Sequence, residues 1–115
     1  MDTLEQIEAM ISTMLKNDME QLMFRCYILR RVMGWTPART AVHLKISPNA
    51  VSSYAQRAAI IFDLEKPIDP DEEPDMYNRL LNQCVECWRR TNLKKHRDHA
   101  VKVVERMNKR LRLTT

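Results

Sequence analysis

Residues 34–62 read GWTPARTAVHLKISPNAVSSYAQRAAIIF. The stretch opens on Gly34, the only glycine of the 115-residue chain, and carries two hydroxyl–proline pairs, Thr36-Pro37 and Ser47-Pro48. A hydroxyl just before a helix accepts a backbone N–H that has no partner inside the helix. Proline at the next position lacks an N–H that would have gone unpaired there anyway. Each pair therefore predicts a helix start. The first helix takes in Ala38 to Leu44, Lys45 and Ile46 make a tight connection, and the second helix runs to about Phe62. Helices joined by so few residues must cross steeply, which is helix-turn-helix geometry.

The apolar positions fit that geometry. Ala41 falls where two crossing helices come closest, and Leu44, Ile46, Val51 and Tyr54 are expected to share one core. Lys45 stands where the chain must turn left-handed, at a cost of about 1 kcal/mol for a residue with a Cβ. The opposite face of the second helix carries Asn49, Ser52, Ser53, Gln56 and Arg57. Four of these are short, polar and uncharged, where an ordinary solvated face more often carries Lys and Glu. Such a strip suits a major groove, in which Asn and Gln pair with adenine and Arg with guanine or phosphate. These five are the expected base readers, with Thr36, Arg39, Lys45 and Ser47 on backbone phosphates. A face used only for packing or for protein contact is the competing reading.

The stretch resembles the helix-turn-helix of TrfB/KorA-type plasmid repressors. It also resembles region 4 of sigma factors and the related motif of antitermination Q-type phage regulators. The residues that carry the likeness are Gly34, Ala41, Leu44, Ile46, Ser47, Ala50-Val51-Ser52, Arg57 and Phe62, about a quarter of the chain. The resemblance implies a transcription regulator that reads an operator or promoter through residues 48–57. In the plasmid repressors a separate C-terminal segment makes the dimer; here that segment is basic and expected to be helical.

Outward from this centre, Thr3 with Gln6 forms a capping box for a first helix bearing Leu4, Ile7, Ile11, Met14 and Leu15. Asn17 is expected to end it, and Asp18 with Gln21 to open a second. That helix carries Leu22, Met23, Cys26, Ile28, Leu29 and Met33 and stops at Gly34, where positive φ is cheap only for glycine. Residues 63–75 hold Pro67, Pro70, Pro74 and seven acidic side chains against one basic, the composition of an extended linker. Asp75 caps a fifth helix with Tyr77, Leu80, Leu81, Cys84 and Trp88 on its buried face. A sixth uses Ala100, Val104, Met107 and Leu111.

Net charge is +4, but residues 76–115 hold eleven basic and three acidic side chains. A basic tail points to a polyanionic partner, with a well-solvated helix surface as the bland alternative. Its phosphate contacts would add salt-dependent affinity without selectivity. A two-helix hairpin seldom stands alone. The apolar face of these helices could pack on the helix-turn-helix domain, on itself or on a second copy. The favoured expectation is a symmetric homodimer built by the fifth and sixth helices, with help from the first, that presents two recognition helices to a palindromic site on double-stranded DNA. RNA polymerase is the alternative partner, reached by protein contact.

Cys84-x2-Cys87 and His96-x2-His99 supply the ligand types of a tetrahedral zinc. The spacing argues against it. On a continuous helix Cys84 falls on the apolar stripe and Cys87 at its edge, with no Gly or Pro turn nearby. Packed thiols and surface imidazoles are the expected state, with no cofactor. His43 is expected to face solvent or phosphate. With one glycine no phosphate-cradling loop is possible, and no catalytic triad or carboxylate pair stands out, so no enzyme is expected. No apolar run reaches the roughly 20 residues of a membrane span. Three cysteines without an export signal suggest a reducing, cytoplasmic setting.

The sequence thus predicts an all-α chain: a helical domain over 1–62 with the helix-turn-helix at 36–62, an acidic linker over 63–75, and a basic helical hairpin over 76–115.

Overall fold

The computed structural model describes residues 2–67 and 69–92, together with 102, 105 and 106. These residues form five α-helices and no strand: α1 Thr3–Met14, α2 Asp18–Tyr27, α3 Pro37–Leu44, α4 Pro48–Ile61 and α5 Met76–Asn92. A π-helical turn, Ile28–Val32, prolongs α2. None is long and apolar enough to cross a membrane. Of the expected sixth helix, only Lys102, Glu105 and Arg106 belong to the described residues, and these are helical.

The N-terminal caps differ from the expected ones. Asp2, not Thr3, caps α1, its carboxylate accepting the Glu5 N–H at 2.8 Å. A carboxylate there also meets the positive end of the helix dipole. Thr3 is already helical and gives its hydroxyl to Thr91 Oγ1 on α5 at 2.6 Å. The first helix ends at Met14, because Leu15 turns extended and is fully buried. Asn17 opens α2 instead of closing α1; its Oδ1 accepts from Met19 N–H at 2.9 Å and Glu20 N–H at 3.1 Å.

At the far end of α2 the chain widens. Met33 N–H donates to the Ile28 carbonyl at 2.9 Å and Trp35 N–H to that of Leu29 at 2.8 Å. Gly34 sits between them with φ 73°, as expected of a residue that reverses the chain after a helix.

The largest difference from expectation concerns α5. Ile7, Ile11, Phe24, Ile28, Ala58, Phe62, Leu80, Leu81, Cys84, Val85 and Trp88 belong to one continuous buried cluster. The boundary expected at 62/63 therefore does not divide the core, and the apolar face of α5 is covered by α1 and its neighbours within the chain. A dimer built on that face would have to unpack it. Nor is the acidic stretch a free spacer throughout. Helix α4 closes with Asp63 left-handed at φ 51° and Leu64 N–H returning to the Ala59 carbonyl at 3.0 Å. Leu64 is fully buried, the apolar contact that completes such a closure. Glu65 accepts from Tyr27 Oη at 3.2 Å and lies 3.5 Å from Arg31.

The chain rejoins the core at α5. Asp75 caps that helix as expected, accepting from Asn78 N–H at 2.8 Å. Tyr77 stacks on Phe62 with centroids 4.3 Å apart and donates its hydroxyl to Glu20 on α2 at 2.9 Å.

Candidate nucleic-acid interface

Thr36 and Ser47 both act as helix caps. Thr36 Oγ1 accepts from Arg39 N–H and Ser47 Oγ from Ala50 N–H, each at 3.1 Å, with Pro37 and Pro48 first in their helices. Between the helices lie only residues 45–47. Lys45 is left-handed at φ 59°, ψ 43°, and its N–H closes on the Ala41 carbonyl. The next amide, Ile46 N–H, returns to the same carbonyl at 3.1 Å. Because glycine bears this conformation without a Cβ penalty, Lys45→Gly is expected to raise stability by about 0.5–1 kcal/mol. Urea unfolding checks this, and a loss of stability would mean that the lysine side chain supports the turn.

Helix α3 buries Thr40 and Ala41; the Thr40 hydroxyl donates to the Thr36 carbonyl at 2.9 Å. Helix α4 buries Val51, Ala55 and Ala58. The small residues Ala41, Ala55 and Ala58 let α4 sit close between α3 and α2. Leu44, Ile46 and Tyr54, expected to be core, are half-buried. Thr40, which periodicity does not mark, is fully buried.

Asn49, Ser52, Ser53, Gln56 and Arg57 are all exposed on α4, away from Val51, Ala55 and Ala58. Thr36, Arg39, Lys45 and Ser47 are exposed beside them in sequence, at the start of α3 and in the turn. Among the described residues no carboxylate forms an ion pair with Arg39, Lys45 or Arg57. No carboxylate among the described residues thus neutralises their charges. The exposed face runs on into Ile60 and Ile61, 67% and 59% exposed, and α3 presents Val42, 81% exposed.

His43 is exposed, as expected, and also has partners that the sequence does not mark. Its Nε2 lies 3.3 Å from both carboxylate oxygens of Glu8 on α1, and its ring meets Trp35 edge-on at 5.4 Å. It ties α3 to α1 while staying exposed to solvent. Trp35 escapes sequence reasoning altogether, although the Arg39 guanidinium lies 3.7 Å above its ring centre.

Cys26, Cys84 and Cys87 are buried and unbridged. Burial pushes the Cys84 thiol up to about 12 and that of Cys26 up to about 11, far from the thiolate that a metal or an oxidant requires. Cys87 Sγ lies 3.4 Å from Gln6 Oε1. His96 and His99 lie outside the described residues, among which no cluster of three or more metal-binding side chains occurs.

No protein-family model, no curated protein and no solved structure matches the chain.

Proposed function

We propose that α3 and α4 form a helix-turn-helix that binds double-stranded DNA in a sequence-dependent way, and that the protein is a transcription regulator of plasmid or phage type. The observation that supports this most is the division of α4. Its small apolar side chains face inward, while Asn49, Ser52, Ser53, Gln56 and Arg57 stand in solvent. Short amides and hydroxyls reach base edges without the desolvation of a lysine, and one arginine can fork to guanine. Thr36, Arg39, Lys45 and Ser47 then take backbone phosphates, which fix register without selecting sequence. The protein acts by binding, as a repressor that pairs as a homodimer on an inverted repeat. Half-sites fall about 34 Å apart, one turn of DNA.

Selection of bound duplexes from a random pool tests this directly. The expected result is an enriched inverted repeat with half-site centres about ten base pairs apart. A pool that stays random after repeated rounds removes the sequence-specific reading.

A second reading rests on Val42 of α3 and on Ile60 and Ile61 at the end of α4, large apolar side chains left in solvent. Under it the module docks on RNA polymerase in the manner of sigma region 4. Binding of purified polymerase that Val42→Asp or Ile60→Asp abolishes, with no duplex enriched, would favour this second role.

A further inference from the structure

We infer that Trp35 is a positioning residue whose indole ring holds the Arg39 guanidinium ready for a backbone phosphate. This rests on the DNA reading of α3 and α4. The guanidinium carbon stands 3.7 Å from the ring centre, within the range of a cation–π contact. Such a contact occupies the flat face of the guanidinium and leaves its five N–H groups, which radiate in the plane, available to a phosphate oxygen pair. Among the described residues no carboxylate competes for them.

The platform is itself fixed. Trp35 N–H donates to the Leu29 carbonyl at 2.8 Å, and the Trp35 carbonyl accepts from the Arg30 guanidinium. The His43 ring abuts the indole at an interplanar angle of 77°, and Glu8 holds His43 from α1. A free arginine on a surface helix loses rotamer freedom when it grips a phosphate. Here much of that ordering is complete before DNA arrives. Trp35 thus links the rigid end of α2 to the first turn of α3, and Arg39 is the only charged residue that turn contains.

The test measures binding of a mixed-sequence DNA duplex as a function of salt. Arg39→Ala is expected to weaken binding about 5- to 10-fold and to reduce the slope of log K against log salt by about 0.9, one phosphate's worth. Trp35→Leu is expected to weaken binding about 3- to 10-fold with much of the same change in slope, and Trp35→Phe, which keeps an aromatic face, to restore most of it. The double variant Trp35→Leu/Arg39→Ala should lose no more than Arg39→Ala alone. Equal affinity and slope for folded Trp35→Leu and the parent, or additive losses in the double variant, would overturn the inference while leaving the DNA reading intact. A parent protein that binds no duplex overturns both.

A second measurement does not depend on how Trp35→Leu folds. Without DNA, Arg39→Ala should change the emission of Trp35, since Trp88 is buried in the core and its surroundings stay the same. Identical emission from variant and parent would mean that the guanidinium does not rest on the ring.

Discussion

Trp88→Ala is expected to destabilise the whole protein by about 3–5 kcal/mol, a large share of the roughly 5–15 kcal/mol that holds a domain together. Trp88 lies on α5, only 2% exposed, in one buried cluster with Ile7 and Ile11 of α1, Phe24 of α2 and Ala58 of α4. Removing the indole leaves a cavity in the midst of this cluster that its neighbours fill only in part. The variant also carries its own reporter. The chain has two tryptophans, so the fluorescence of Trp88→Ala comes from Trp35 alone, just before α3. Urea unfolding followed by far-UV circular dichroism and by Trp35 emission should give coincident curves, both shifted to lower urea. Under the division expected from sequence, with residues 76–115 a separate unit, Trp35 would keep the parental midpoint while part of the helical signal melted early. That second pattern would show that α5 only leans on a core able to stand without it.

The contrast between those outcomes marks how far this sequence can be read. Local chemistry is legible. The caps at Thr36, Ser47 and Asp75, the proline starts, the positive φ of Gly34 and the left-handed Lys45 are each settled by neighbours within a few residues. Amphipathic spacing correctly marks Leu80, Leu81, Cys84 and Trp88 as buried. Periodicity gives the face that is covered and not what covers it, so it leaves the helix-turn-helix domain, the hairpin itself and a second copy all open as partners for α5. Thr3 and Asp2 are adjacent candidates for one cap, and what decides between them is that Thr3 meets Thr91, 88 positions away. The contact of His43 with Glu8 escapes the sequence for the same reason, since Glu8 is remote along the chain. Nor does anything in ILRRV announce a π turn, whose extra residue per turn reflects how Ile28, Leu29 and Val32 are all drawn inward.

The candidate interface was legible for a different reason. Its residues are distinguished by what they are not: a solvated helix face of this length ordinarily carries lysine and glutamate, and α4 has neither. That composition makes a sharp prediction on the proposed DNA reading. On a duplex recovered by selection, Gln56→Ala and Arg57→Ala should each cost about 1–3 kcal/mol of binding, a roughly 5- to 150-fold loss. As neighbours on one turn, they need not add when combined. Neither side chain is buried, so stability should stay within about 0.5 kcal/mol of the parent. Selectivity then separates their roles. A base reader lost from α4 leaves binding to unrelated duplexes almost unchanged, so the ratio of specific to non-specific affinity collapses. Loss of a phosphate contact, as expected for Lys45→Ala, weakens all duplexes alike and lowers the salt slope by about 1. If Gln56→Ala and Arg57→Ala both bind the selected duplex as tightly as the parent does, the exposed strip of α4 is not what reads DNA. That strip, uncharged but for Arg57, would then call for a partner with neither phosphates nor base edges, and Val42, Ile60 and Ile61 would be the place to seek it.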